Sequence, residues 1–345
     1  MSIYINSTIA LFAKEQSKRL TEMLGESKTF PYFDTFSQPL LSLSSLYQKL
    51  DAYLSALLQK MSWNADELSE IPILLGSTGY VISDCEYRLQ HNQPLPKQYD
   101  LSVIAQELQQ RYQCPVFSFA TSCTSSAQAI IYAHKLIKNG LYKKAIVIGF
   151  ESFNRLTMEH FQAMNLLQLS GQYIPLQQSN GIVLGEGIGI IALSNQPDDS
   201  SYEIFGAVTH TDYHNLTNSN ENAVQTLLDK CLTTAHLKAN QVTAVKVHGV
   251  GGQADAMELD ILQKYFPEAR KFIIKSQTGH TLGAAGALET ALLLNQPLPD
   301  GYILNYFLGF GGANVAWIMQ KSKSNDISNC FKRPLNFHSF SKNNM

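Results

Sequence analysis

The chain has 345 residues, 45% of them hydrophobic and only 16% charged, with a formal net charge of −2 at pH 7. That length exceeds one small core and calls for two half-domains or one large α/β unit with much apolar surface to bury. The near-neutral balance argues against a nucleic-acid binder that relies on overall basicity, and five scattered cysteines without a CxxC pair suit free thiols in a reducing, cytoplasmic compartment.

The N-terminal stretch MSIYINSTIALFAKEQSKRL lacks the basic and long apolar regions of a signal peptide, and no apolar run approaches the roughly 20 residues of a membrane span. No membrane insertion is expected. Short apolar runs then alternate with longer helical patterns, the signature of α/β layering. A strand is predicted over 3–10, an amphipathic helix over 40–61 and a strand over 71–76. Further strands follow at 115–120, 145–150, 182–193 and 202–210. The second half should contain a helix at 223–237, a strand at 242–249, a helix near 254–266 and a strand at 271–276. A helix at 281–294 and strands at 302–307 and 314–319 complete it. Residues 321–345 are polar and aperiodic and read as a tail.

Two helical segments, TSSAQAIIYAHKLI and TLGAAGALETALLL, are apolar nearly all round, which predicts burial on every side. Each follows a strand and begins beside a residue able to do chemistry, Cys123 in the first case and His280 in the second. That points to a duplicated architecture, with halves at 1–195 and 196–320 and the two helices side by side in the middle. Cys123 stands at a helix start among small residues, where the helix N-terminus is expected to lower the thiol pKa. Taken singly, the candidates have plainer readings. Cys123 could be a buried small hydrophobe, His248 a core histidine, Lys275 a strand-end lysine, and Glu289 an acid paired inside a buried helix.

The segments TSCTSSAQAI, VLGEGIGIIAL, VKVHGVGGQADAMELDIL, IIKSQTGHTLGAAGALET and LGFGGANVAWIM occur in that order. Together they resemble the signature blocks of the β-ketoacyl synthases, the condensing enzymes of fatty acid and polyketide synthesis, over about residues 70–320. The resemblance implies a thiolase-like αβαβα fold of five layers and two similar halves. It implies an acyltransferase in which Cys123 takes an acyl group from a carrier-protein thioester, with the oxyanion held by the N–H groups of Cys123 and Phe310. His248 and His280 would hold the thioester oxygen of a malonyl extender through loss of carbon dioxide. Lys275 would order this network, Glu289 is the family's buried glutamate, and Phe310 with Gly311 belongs to the gating GFGG turn. No cofactor or metal is implied. The partners implied are acyl carrier protein, bearing phosphopantetheine-bound acyl and malonyl groups, and a second synthase subunit.

Some positions depart from the family pattern. HGVGG stands where HGTGT is usual, so Val250 and Gly252 replace two hydroxyls that help hold the pantetheine arm, and the spacing from His248 to Asp255 is one residue short. IPLQ (174–177) stands where a charged R-P-F-D segment is usual, and Cys123 comes about 40 residues early. These departures favour an alternative, a chain-length-factor-like partner subunit with little catalysis of its own, whereas such factors typically lack the cysteine. A thiolase is disfavoured because no second cysteine follows GHTLG before Cys330, and a priming synthase because His280 stands where that type has Asn. The resemblance also implies that the strand PVFSFA pairs with its mate in a homodimer or heterodimer. Its Val116, Phe117 and Phe119 are a poor choice for an edge left in water.

Overall fold

In the computed structural model, which describes residues 1–322 apart from 24, 179, 215, 216, 218 and 219, the first half begins β1 (Tyr4–Phe12), β2 (Ser17–Met23), β3 (Glu26–Tyr32), α1 (Leu43–Met61), β4 (Ile73–Gly76). It continues α2 (Ile82–Gln90), α3 (Ser102–Tyr112), β5 (Val116–Phe119), α4 (Ser125–Lys138), β6 (Lys144–Glu151), α5 (Arg155–Ala163) and β7 (Gly187–Ser194). The second half runs β8 (Tyr202–Thr211), α6 (Glu221–Ala235), β9 (Val242–Lys246), α7 (Asp255–Tyr265) and β10 (Arg270–Phe272). It closes with α8 (Lys275–Thr278), α9 (Ala285–Leu294), β11 (Tyr302–Phe307) and β12 (Ala313–Lys321). The tail expected over 321–345 lies, from 323 onward, outside the described residues.

The strand order of the first half is β1-β7-β6-β4-β5, with two antiparallel pairs followed by two parallel ones. The second half repeats this as β8-β12-β11-β9-β10, again two antiparallel pairs and then two parallel. β1 and β8 join the two sets through Tyr4 opposite Glu203 and Ile5 opposite Tyr202. The duplication that two apolar helices suggested is thus a duplication of strand topology.

Period-two alternation sorts the strand side chains into two layers each. In β6, Ala145 and Val147 face one core while Ile146, Ile148 and Phe150 face another with α1 and α3. In β12, Val315, Trp317 and Met319 join the first of these cores while Ala316 and Ile318 pack with α6 and α7. The shared core is filled by α4 and α9. The layers are therefore outer helices, sheet, α4 with α9, sheet, outer helices: the thiolase-like arrangement.

Several elements differ from the sequence reading. The β2–β3 hairpin, α2, α3 and α5 were not anticipated, because β2 (SKRLTEM) and β3 carry many charged and hydroxyl residues and α2 and α3 are short and polar. The strand expected at 271–276 ends at Phe272, and Lys275 instead opens the short α8. The strand expected at 242–249 ends at Lys246, leaving His248 in the following loop. The stretch 182–186 forms no continuous ladder and pairs through isolated bridges at Ile182, Leu184 and Gly185 before β7 begins. α9 is buried almost throughout, but α4 is not enclosed on every side: Tyr132 is 41% exposed and Lys135 and Lys138 lie in water. Tyr132 covers the outer edge of the sheet beside Phe117 and Phe119.

The central helices approach closely because α9 presents Gly286 to α4. A Cβ there would lie 2.1 Å from the Ala127 backbone nitrogen, and Ser126 Oγ accepts from the Ala287 N–H at 3.0 Å across the same contact. Gly286→Ala should therefore force the helices apart and destabilise the protein by about 3 kcal/mol, at the upper end of ordinary overpacking. The check is a fall in the urea midpoint at unchanged denaturant slope.

Candidate active site

Cys123 sits in a tight 3-10 turn, Ser122–Thr124, that leads directly into α4. Ser122 adopts a left-handed conformation (φ 56°), and the equivalent turn ahead of α9 repeats it at Leu282 (φ 44°). A left-handed non-glycine residue costs energy and persists only where surrounding contacts enforce it. Here the small polar neighbours supply them. Ser125 Oγ accepts from Thr121 N–H and donates to the Ser122 carbonyl, and Thr124 Oγ1 donates to the Thr121 carbonyl. The hydroxyls of TSCTSS thus build the turn, and Thr124, Ser125 and Ser126 are fully buried.

The two helix starts bring Cys123 and His280 together, with His280 Nε2 3.1 Å from the sulfur. His280 is fixed by its own backbone, whose N–H donates to Val183 O and whose carbonyl accepts from Gly185 N–H. His248, just past the end of β9, stands edge-on to it with ring centroids 5.9 Å apart. Its Nδ1 accepts from the Leu308 N–H at 3.4 Å, which leaves the ring proton on Nε2. Glu258 of α7 accepts from the N–H groups of His248 and Gly249 and from the Tyr306 hydroxyl, so the backbone on which His248 rides is anchored to a buried acid. Asp255, at the start of α7, accepts from Val250, Gly251 and Leu176 N–H groups.

Behind the histidines, Lys275 Nζ donates to the His248 carbonyl at 2.8 Å and pairs with Glu289 Oε1 at 2.7 Å. The other carboxylate oxygen, Oε2, is 2.8 Å from Lys246 Nζ, and all three side chains are essentially without solvent contact. The sequence reading overlooked Lys246 and Glu258. The signal for the first was there to be read, as a lysine inside the apolar run VTAVKVHG.

Phe310 lies in the turn between β11 and β12. Its N–H reaches the Cys123 sulfur, and its ring stacks on Phe161 of α5 with centroids 5.8 Å apart. Gly311 supports that turn through its positive φ of 78° but is exposed and does not line the site. Cys123, His248, His280 and Phe310 share a cavity of 560 Å³, whose walls include Asn165, Asn180, Val250, Gly252 and Gln253. No cluster able to hold a metal ion occurs among the described residues, and none of their helices is long and apolar enough to cross a membrane.

Burial dominates the electrostatics. It pushes the Cys123 thiol above its ordinary value, against the opposing pull of Ser122, the Phe310 N–H and Lys275. The helix N-terminus was expected to lower that pKa, but desolvation of the thiolate outweighs it. Burial, helped by the charge of Lys275, holds His248 and His280 well below the usual imidazole range, so both are neutral. The resting pair is a thiol beside a neutral imidazole: a general base poised on a nucleophile.

Residues 90–199 match the model of the β-ketoacyl synthase N-terminal domain, and residues 203–300 match that of the C-terminal domain. Over 256 residues the chain is 27% identical to 3-oxoacyl-(acyl-carrier-protein) synthase 2 of Rhizobium meliloti, spanning 60% of this chain and 61% of that one. Over 202 residues it is 32% identical to the non-reducing polyketide synthase mapC of Penicillium brevicompactum, spanning 53% of this chain and 8% of that much longer protein. Among solved structures, the ketosynthase ApeO in complex with its chain length factor ApeC from Xenorhabdus doucetiae superimposes with a TM-score of 0.77 at 21% identity, covering 93% of this chain and 98% of the other. The ishigamide ketosynthase/chain length factor gives a TM-score of 0.77 at 16% identity, covering 93% of this chain and 99% of the other. At these identities the structural likeness speaks for the fold.

Because the thiol is held above its ordinary value of 9.0, labelling of Cys123 by iodoacetamide should be slow at neutral pH and still rising at pH 9. A rate that levels off near neutrality would show a thiolate–imidazolium pair instead. Peptide mapping should find the label on Cys123 ahead of the buried Cys114 and Cys231, whose thiols burial alone pushes up.

Proposed function

The chain belongs to the β-ketoacyl synthase family, and we propose that within it the protein is a condensing enzyme that joins an acyl group to a malonyl unit, each carried as a thioester on an acyl carrier protein. The observation that carries this reading is the single cavity holding Cys123, His280 and His248, with His280 Nε2 at 3.1 Å from the sulfur.

In the first half-reaction Cys123 Sγ attacks the acyl thioester carbonyl while His280 Nε2 takes the thiol proton. The oxyanion is held by the N–H groups of Cys123 and Phe310. The carrier thiolate then leaves and recovers the proton from His280, so the acyl group rests on the sulfur and the carrier departs as a thiol. In the second half-reaction the malonyl thioester oxygen accepts from His248 Nε2–H, whose proton position is set by the Leu308 N–H on Nδ1. His280 becomes the second donor after its ring proton, on Nδ1 while Nε2 serves as base, has moved to Nε2 by exchange with solvent. Carbon dioxide leaves, the enolate carbon attacks the acyl carbonyl on Cys123, the carbon–sulfur bond breaks, and the thiolate regains a proton from solvent. Both imidazoles must be neutral to donate without being spent as acids, and burial with Lys275 keeps them so.

The alternative of a chain-length-factor-like subunit draws on Val250 and Gly252, which leave the cavity wall without the hydroxyls of the usual block. The Cys123–His280 contact favours the enzyme. Cys123→Ala should abolish transfer of radiolabelled acyl groups from carrier to protein. His248→Ala should keep acylation while lowering malonyl decarboxylation by on the order of 10²–10³-fold, the cost of one oxyanion donor. A wild-type protein that neither accepts an acyl group nor releases carbon dioxide, alone or with a partner synthase, would leave the subunit reading in its place.

A second subunit is proposed to seat on β5. Among the described residues that strand is paired with β4 on one side alone, and Phe117 and Phe119 with Tyr132 make an apolar margin along it. Phe119→Arg should convert a dimer, homomeric or with a co-expressed synthase, into monomers by light scattering. An unchanged mass would place the interface elsewhere.

A further inference from the structure

Two lysines are fully buried among the described residues, Lys246 and Lys275, and the condensation laid out above uses only Lys275. Lys246 ends β9, two residues before His248 in the loop that follows. Its ammonium lies 2.8 Å from Glu289 Oε2 and 3.3 Å from the centroid of the Phe307 ring on β11. Glu289 Oε1 is held by Lys275, which also donates to the His248 carbonyl. The carboxylate on α9 is therefore tied to the end of β9 twice: directly through Lys246, and through Lys275 at residue 248. With Lys275 alone, Oε2 would be left buried and unpaired, a costly state for a charged oxygen.

We infer that Lys246 is a positioning residue for His248, because it shares Glu289 with Lys275 in a buried Lys–Glu–Lys bridge that clamps the end of β9 to α9 and keeps positive charge behind both imidazoles. The inference rests on the condensing-enzyme reading of the same site. The groups facing Lys246 are Glu289 from α9, Lys275 from α8, Glu258 from α7, and the two histidines. Burial lowers the Lys246 ammonium to about 7, with Glu289 opposing and Lys275 adding to the fall. Lys246 therefore gives up its charge at a lower pH than an ordinary lysine and keeps it in the acid range. Its charge is one of the influences that keep His248 and His280 neutral, and it acts in the acid range, where those donors would otherwise begin to take up protons.

Two substitutions separate position from charge. Lys246→Gln keeps a donor for Glu289 but removes the charge, while Lys246→Met removes both. Malonyl-thioester decarboxylation followed from about pH 5 to 9 should show the acid limb about one unit higher in both variants. At the optimum the Gln variant should stay within a few-fold of wild type, whereas the Met variant should fall by on the order of 10- to 100-fold through misplacement of His248. Iodoacetamide labelling of Cys123, which does not need His248, should change less than about three-fold in either. Decarboxylation and labelling falling together, or an acid limb that stays put in both variants, would overturn the inference. If wild type releases no carbon dioxide, the condensing reading fails by itself. The histidine carbon-13 NMR titration of wild type against Lys246→Gln then decides, with the imidazole midpoints rising if the inference holds and unmoved if it does not.

Discussion

Everything chemical in this protein depends on how closely α4 passes α9 in the central layer. Each helix starts in a 3-10 turn with a left-handed residue, Ser122 or Leu282. The two turns lie together because Gly286 has no side chain to keep Ala127 away. Gly283 tightens the second turn in the same manner, since a Cβ there would fall 2.4 Å from the Ser77 carbonyl carbon. The sulfur of the first half thereby meets the imidazole of the second at 3.1 Å, a contact neither half could make alone. The stacked sheets hold this geometry rigidly, since side chains of both face the same helices.

The electrostatic design follows from burying that contact. With thiol and imidazoles all desolvated, each group is pushed toward its neutral form. Neutrality suits the proposed mechanism, in which the histidines would donate to a thioester oxygen and His280 would receive a proton when the sulfur attacks. Charge is kept one layer back, where Glu289 lies between two lysines and Glu258 holds the loop of His248. Buried ions are expensive, and their presence here is accounted for by the orientation they impose on a loop that lacks strand pairing at His248.

The surroundings of the site are less regular. The β2–β3 hairpin sends Phe30 and Tyr32 into the same apolar cluster as Cys123, together with Phe153, Met158 and Phe161. Arg19 of β2 lies over the Phe153 ring at 4.1 Å, so a charged strand closes one side of the region next to the sulfur. Val250, packed against that same cluster, lines the cavity together with Gly252, Asn180 and Gln253. The sulfur is thus surrounded by an apolar cluster that includes rings of the hairpin and of α5, while Asn165, Asn180 and Gln253 are among the polar residues lining the cavity.

The sequence by itself determined the α/β class, the two central helices and the candidate residues of the site. Hydrophobic periodicity is a local property, and the motif blocks around Cys123, His248, His280, Lys275, Glu289 and Phe310 are each short and contiguous. It also carried a hint of duplication, in two apolar helices that each begin beside a chemical group. Only the tertiary structure decided the rest. The convergence of Cys123 with His280, 157 residues later, depends on helix approach across two sheets. The direction of the thiol pKa is set by burial against groups remote in sequence, which overrides the local helix terminus. The part played by Lys246 was equally out of reach, for its partner Glu289 is 43 residues away. The polar α2, α3 and the β2–β3 hairpin were missed because packing against neighbours, rather than their own pattern, stabilises them.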